Sequence, residues 1–482
     1  MKTDKIGVRL SKIVNCTVLW DSYTRDFYSV DASSYILKPS VVVFPRNESD
    51  IIKIIKFAKK YNIPVTPRGA GTGLVGGSLG RGIIIDMKNL SKIRLGNNYA
   101  IVDAGVFKGH LDKILKKQRR FIGPNPSSGP FCTIGGMIGT NASGARSLKY
   151  GSMIDNLIEV RMVNASGNIV KLPDNQHVKR IINIIPSKID KLFPKVSKNS
   201  CGYRIDKIYS KKDVHKIIAG SEGTLGIIIS AKIRTYNQPK NILLFIIYYK
   251  TLSEAVKDVP RINELKPSAV ELVDSNIVKH IKIKTPSQTG CLLFVEFDDK
   301  IEQNKKHIQG IISGKIIKTE SNTNKIKELW RFRNSALSYS LQSITKNEIM
   351  PMLIEDAVVP VKRLSLLLKI LDIIVKKYGL KMIVYGHVGN GNLHIKPILM
   401  RKDRHIIKKI ASEFFAGVIE IGGSITGEHG DGLARSEFVK LQYGNKVYCV
   451  FKNIKKHFDP KNILNPGKII SNQSTMIKNL KI

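Results

Sequence analysis

At 482 residues the chain exceeds what one hydrophobic core usually organises, so two or more domains are expected. A 42% apolar and 24% charged composition is globular rather than disordered. The longest apolar runs, such as ILLFIIYY (242–249), are far shorter than the ~20 residues that span a bilayer. The net charge of +41 raises nucleic acid or an anionic surface as partners, but 59 of the 79 basic residues are lysines spread along the whole chain. Without an arginine-rich tract, zinc-finger spacing or aromatic RNA-binding pattern, no nucleic-acid partner is expected. Lysine, isoleucine and asparagine are inflated together, as an AT-rich coding sequence would produce.

The amino terminus, MKTDKIGVRLSKIV, lacks the apolar core and small-residue cleavage site of a signal peptide, which predicts a cytoplasmic protein. Five scattered cysteines (16, 132, 201, 291, 449) predict reduced, buried thiols. They argue against a cysteine-held iron–sulfur cluster.

Residues 38–45 (KPSVVVFP) predict a buried strand. Asn47 then offers a helix N-cap, with Glu48 and Asp50 in the first turn and Ile51, Ile54, Ile55 and Ala58 on one apolar face up to Asn62-Ile63-Pro64. From there to residue 236 short strands such as IIID (83–86) and GIIIS (226–230) alternate with glycine-rich connections. Residues 237–380 alternate strand-like runs with lysine-rich amphipathic helices such as VKRLSLLLKILDIIVKKYG (361–379). A two-histidine hairpin, a helix near 405–420, a GEHGDG turn and a final helix ending at Asp459-Pro460 complete the chain.

Four glycine-bearing loops stand out. PRGAGTGLVGGSLG (67–80) contains Gly71-x-Gly73-x-x-Gly76, but it runs into another strand, whereas the dinucleotide fingerprint requires a following helix. A glycine loop between strands can instead expose consecutive backbone N–H groups as a nest for a pyrophosphate, with Arg68 supplying a charge. GPNPSSGPFCTIGGMIGTNASGARSLKYG (123–151) suits a flat polar ring lying against main chain, with Ser127, Ser128, Thr133, Asn141 and Ser143 as polar groups. The third and fourth are GSEGTLGIII (220–229) and FDPKNILNPGKI (458–469).

In VYGHVGNGNLHIKP (384–397), a two-residue Asn390-Gly391 turn sets His387 opposite His394, about 5 Å apart at Cβ. Two imidazoles so held are most of a divalent-metal site. A third ligand is available about thirty residues on, in TGEHGDGLARSEF (426–438), where Glu428 and His429 stand side by side.

Taken together, these loops, GHxxxGNxH and GEHG resemble the vanillyl-alcohol-oxidase (PCMH-type) family of FAD-linked oxidases over residues 35–470. More narrowly they resemble its D-2-hydroxyacid dehydrogenase branch, which includes D-lactate dehydrogenase and the glycolate oxidase flavoprotein subunit. The resemblance implies an α+β fold. Residues 1–236 and a returning segment, 421–482, would form the FAD-binding domain around a substrate-binding cap at 237–420 that carries the hairpin. It implies FAD contacts from Arg68, Gly69, Ala70, Gly71, Thr72 and Gly73 in the first loop. The second would contribute Pro126, Ser127, Thr133, Gly135, Gly136, Gly139, Asn141, Ser143 and Gly144. The third would contribute Gly220, Glu222, Gly223, Gly226 and Ile227, and the fourth Asn465. Covalently flavinylated relatives carry a histidine in the first loop; its absence here implies noncovalent FAD.

The resemblance further makes His387, His394 and Glu428 ligands of zinc, manganese or iron. His429 becomes the general base that takes the hydroxyl proton, and Arg333 of LWRFRNSA (329–336) the carboxylate clamp, with Arg331 facing elsewhere and Asn392 able to contact substrate or orient a ligand. The implied activity is oxidation of glycolate or D-lactate to the 2-oxoacid. Electrons would leave to a quinone or an acceptor protein, such as an iron–sulfur partner subunit, placing the enzyme peripherally at the inner membrane. D-2-Hydroxyglutarate or a sugar acid as substrate, or a flavin-binding subunit without catalysis, are the alternatives. The family usually has Asp where Asn390 stands and often Ile where Asp431 stands, which puts substrate choice and rate in question more than the reaction class.

Overall fold

The strands Val41–Phe44 and Ile83–Asp86 each open with three β-branched residues buried on both faces, as parallel strands under helices require. The helix Glu48–Tyr61 connects Val41–Phe44 to Val65–Arg68. Asn47 caps it by accepting from the Asp50 N–H (3.1 Å), and Asn62 closes it in the left-handed conformation. The computed structural model describes residues 3–173, 175–281, 283–352 and 354–481. Its first sheet has the order Thr17–Leu19, Val41–Phe44, Ile83–Asp86, Val65–Arg68, with the last three strands parallel.

A second, antiparallel sheet follows, with the order Ile93–Leu95, Tyr99–Asp103, Ile227–Arg234, Leu157–Val163, Ile169–Leu172. The stretch to residue 236 is less strand-dominated than the sequence predicts. Lys108–Lys117 is a helix with Leu111 and Leu115 buried at i, i+4 spacing. The second glycine loop encloses another helix, Ile134–Thr140, which the glycines disguise. Thr133 caps it by accepting from the Gly136 N–H, and Ile134, Met137 and Ile138 bury one face.

Strands from residues 243–400 build a seven-stranded antiparallel sheet, in the order Lys315–Glu320, Leu243–Tyr249, Cys291–Phe297, Ala269–Asp274, Lys381–Gly386, His394–Met400, Glu348–Ile349. The uninterrupted apolar run 243–249 is explained by two cores. Leu243, Phe245, Ile247 and Tyr249 enter the main core, while Leu244 and Ile246 enter a second one with Phe294 and Trp330. Leu252–Glu264, Leu364–Tyr378 and Ile407–Glu420 pack beside one another on the main-core side. Thr323–Asn334 covers the second core.

After the helix Val439–Phe458 the chain returns to the first sheet, where Val65 N–H donates to Ile463 O (2.7 Å) and Asn465 N–H to Val65 O (2.7 Å). All five cysteines are free. Cys132, Cys201 and Cys291 are buried, but Cys449 is exposed, because it falls on the outer face of the final helix between Tyr448 and Val450. No helix among the described residues is long and apolar enough to cross a membrane.

Candidate active site

The two histidines meet, but not as a directly opposed pair. The hairpin register pairs Tyr385, not His387, with His394. The strand Lys381–Gly386 ends one residue before His387, and a longer connection containing the helical turn Val388–Asn390 follows. Of the pair, Gly391 takes positive φ (71°) and Asn390 does not, so the Asn-Gly pair does not form the two-residue turn expected of it. A Cβ at Gly391 would also lie 2.0 Å from Val359 O, which fixes this residue as glycine. The wider turn swings His387 back, and its ring centroid lies 5.1 Å from that of His394 at 83°.

Glu428 organises what surrounds them. Its Oε2 accepts from Gly144 N–H and Lys198 Nζ (both 3.1 Å) and from the Ser143 hydroxyl. Its Oε1 faces three imidazole nitrogens: His387 Nε2 at 2.8 Å, His394 Nε2 at 3.4 Å and His429 Nε2 at 3.6 Å. Two of these rings are fixed from behind by carboxylates, His387 Nδ1 by Glu271 Oε1 (2.6 Å) and His429 Nδ1 by Glu355 Oε1 (2.9 Å). A carboxylate on Nδ1 leaves Nε2 to face the cluster, as it does behind metal-ligating histidines. Three convergent Nε2 atoms and one carboxylate oxygen therefore form a donor set that fits a divalent metal.

The ligand atoms that lie mutually within 4.8 Å are those of Asp356, His394, Glu428 and His429; His387, expected as a ligand, is not among them, although its Nε2 lies 2.8 Å from Glu428 Oε1. The oxygens of Asp356 are nevertheless committed. Oδ2 accepts the N–H groups of Gly427, Glu428 and His429 (3.0, 2.9 and 2.8 Å), and Oδ1 accepts Asn392 Nδ2 (3.1 Å). Asp356 thus shapes the GEHG turn. Asn392, expected to contact substrate or orient a ligand, is fully buried behind Asp356, to which it donates, and does not line the cavity.

Burial and charge set the protonation states. Burial pushes His394 down to about 4, against the pull of Glu428, so its imidazole is neutral at pH 7. Burial would lower His429 too, but Glu355 and Asp356 outweigh it and lift that imidazole to about 9. Burial alone would raise Glu428; the charges of His387 and Lys198 hold it well below the usual carboxylate range. Against its own burial, Glu271 is held low by Arg333 and His387.

Arg333 is 3% exposed and ion-paired to Glu271, with its guanidinium carbon 5.7 Å from the centroid of the Tyr385 ring. Its Nε makes no hydrogen bond among the described residues. A buried guanidinium with a free donor is suited to a carboxylate ligand. Arg331, two residues earlier, is exposed and turned away from this site.

These groups line one end of a cavity of about 520 Å³ whose remaining walls are the glycine loops. Residues 68–73 of the first loop line it, as do Pro126, Ser127, Thr133, Gly135, Gly136, Gly139, Ser143 and Gly144 of the second and Glu222, Gly223 and Gly226 of the third. Gly73 has open space where a Cβ would stand, so its main chain borders the cavity directly. Four residues expected to contact the cofactor do not line this cavity. Asn141 binds Asn199 O and Ile154 N–H, Gly220 N–H donates to Ile138 O, and Ile227 starts a buried strand. Asn465 donates to Gly77 O (2.9 Å) and Glu222 O (2.7 Å), tying the first loop to the third.

The two departures from the family pattern also lie elsewhere. Asn390 bridges Ser147 and Ser197, and Asp431 accepts from Gly202 N–H (2.7 Å). Burial and Asp431 lift Glu222, which receives the Asp431 and Gly432 N–H groups, to about 8.

Lys198, Glu271, Glu355 and Asp356 escape a reading by motif. Glu271 in AVELVD and Glu355-Asp356 in LIEDAVV are charges embedded in apolar runs, a pattern that announces a buried ion pair.

A glycine-walled cavity closed by an imidazole–carboxylate cluster is suited to a flavoprotein oxidoreductase. Residues 39–173 match the model of an FAD binding domain and residues 238–469 that of the FAD linked oxidases, C-terminal domain. The glycolate oxidase subunit GlcD of Bacillus subtilis is 30% identical over 471 residues, covering 93% of this chain and 92% of its own. A D-lactate dehydrogenase of Archaeoglobus fulgidus is 29% identical, covering 96% and 98%. The D-2-hydroxyglutarate dehydrogenase of Escherichia coli is 30% identical over 92% of this chain, which spans only 49% of that relative. Among solved structures, an alkyldihydroxyacetonephosphate synthase shares the fold with a TM-score of 0.66 at 20% identity, over 94% of this chain and 82% of that one. The chain belongs to the FAD-linked oxidases, in their D-2-hydroxyacid dehydrogenase branch.

Proposed function

We propose that this chain oxidises a short D-2-hydroxymonocarboxylate, glycolate or D-lactate, to the 2-oxoacid with noncovalently held FAD. The observation that carries this reading is the single cavity bounded by glycine loops on one side and by Arg333, His387, His394, Glu428 and His429 on the other. Residues 1–236 and 421–482 then hold the flavin, and 237–420, joined by Glu428 and His429 of the returning segment, supply the substrate side. Arg333 takes the substrate carboxylate, and Glu271 holds Arg333 and His387 in one frame. When bound, FAD supplies the hydride acceptor, and a zinc, manganese or iron ion on His387, His394 and Glu428 supplies Lewis acidity that lowers the hydroxyl pKa. His429 keeps its proton at pH 7 because Glu355 and Asp356, even with Arg435 and Lys396 beside Glu355, outweigh its burial; positive charge in the cluster works against that proton. The neutral imidazole then takes the hydroxyl proton.

Two features support a monocarboxylate and a non-nicotinamide acceptor. Arg68 and Arg333 are the cations other than histidine that line the cavity among the described residues, and Arg68 is committed to Val30 O (2.8 Å). The distal carboxylate of D-2-hydroxyglutarate therefore lacks a partner there. The first glycine loop runs into the strand Ile83–Asp86 rather than a helix, so it carries no dinucleotide fingerprint. Electrons pass instead to a quinone or a partner protein, through which a cytoplasmic enzyme meets the membrane. The test is an anaerobic flavin spectrum with D-lactate or glycolate, with and without chelator. Bleaching that chelation abolishes is expected. Flavin that neither acid bleaches overturns the substrate, and bleaching indifferent to chelation overturns the metal.

A further inference from the structure

The helix Thr323–Asn334 has two functional faces. Arg333 points into the flavin cavity, while Lys327, Trp330, Arg331 and Asn334, spaced three and four apart, line a second cleft of about 1330 Å³ between residues 108–150 and 238–334. Asn125, Ala145 and Asn334 line both spaces, so cleft and cavity share a wall.

The cleft is cationic beyond what internal pairing consumes. Lys116, Lys240, Lys300, Lys305, Lys327 and Arg331 line it, and none forms an ion pair among the described residues. On the acidic side Asp112 is paired to Lys108 and Asp298 to Lys149, which leaves Glu302 as the unpaired lining carboxylate. Low-dielectric walls of one sign focus the field and raise the local concentration of an oppositely charged ligand.

We propose that this cleft is an electrostatic vestibule that captures the small carboxylate substrate and passes it along Lys327, Arg331 and Asn334 to Arg333. The inference rests on the anionic substrate proposed above. A small anion fits better than a protein partner because the charge lines a concavity that shares Asn125, Ala145 and Asn334 with the cavity holding Arg333.

The test compares flavin reduction in the holoenzyme, at limiting concentrations of whichever of D-lactate and glycolate bleaches it, in K327E/R331E and in K211E/K212E. The second pair changes charge equally on exposed lysines that line neither space. The second-order rate constant is expected to fall about tenfold in K327E/R331E and stay within about twofold of wild type in the control. Raising salt from about 0.01 to 0.15 M, which shortens screening from about 30 to 8 Å, should lower the wild-type constant toward that of K327E/R331E. A misfolded variant would not converge in this way. Equal losses in both variants, parallel salt slopes, or an effect confined to reoxidation by an acidic acceptor protein overturns the proposal. If neither acid bleaches the flavin, the substrate reading fails separately. The vestibule is then tested by the rate at which oxalate perturbs the flavin bands, under the same comparison and criteria.

Discussion

The two walls of the proposed flavin cavity are built on opposite principles. The glycine wall works by shape: main chain borders the space, and loops are locked by contacts such as Asn465 with Gly77 and Glu222. The histidine wall works by charge, with buried carboxylates each matched by cations: Glu428 by Lys198, Glu271 by Arg333, and Glu355 by His429 and Arg435. Added volume should therefore damage the first wall, and lost charge the second.

The largest expected effect is chemical. His429→Ala should slow flavin reduction by about 10³-fold while leaving FAD bound, as read by stopped-flow absorbance. FAD loss in this variant would show that the two walls are not separable.

Next comes the bond that joins them. Glu296, on the seven-stranded sheet, accepts Arg146 Nε and Nη2 from the second glycine loop (2.6 and 2.7 Å) and Trp330 Nε1 (2.7 Å). Burial alone would raise this carboxyl; Arg146, with hydrogen bonds from Arg146, Ser268 and Trp330, holds it below its ordinary range. A depressed carboxyl stabilises the fold fully above its unfolded pKa of about 4.3 and loses that contribution as pH falls through the folded value. Glu296→Gln should cost about 3 kcal/mol at pH 7, with a smaller gap from wild type near pH 3, by urea unfolding.

Glu271→Gln keeps the shape but removes the charge shared by Arg333 and His387. It should slow flavin reduction by about 10–100-fold, and Glu271→Ala should do no better. The smallest change is on the shape wall. Gly73→Ala meets no protein atom within 4 Å, so the melting temperature should hold while FAD affinity falls about tenfold, by fluorescence titration. An unchanged affinity would place the cofactor away from this loop.

The same contrast decides what the sequence discloses. The helix Glu48–Tyr61 is legible because its cap, acidic first turn and apolar stripe are all local. The glycine loops are legible because backbone conformation and close approach are properties of single residues. The charge wall is not, because its members come from segments far apart in the chain: Glu428 lies 230 residues from Lys198, and His387 116 from Glu271. Even the paired histidines come together by a different route. An opposed-strand register expects them face to face, whereas a wider turn delivers His387 from outside the ladder. The helix Ile134–Thr140 is hidden by three glycines, and only packing and the Thr133 cap recover it.

The returning carboxyl-terminal segment makes cofactor loading depend on the order of synthesis. Asn465 locks Thr66, 399 residues earlier, and Lys468 Nζ reaches Leu79 O, 389 residues earlier. While a ribosome is still building the substrate half, the glycine loops are already made but lack the residues that hold them together. Flavin capture is therefore a late event in the life of each new molecule, and a chain cut before residue 463 should emerge colourless.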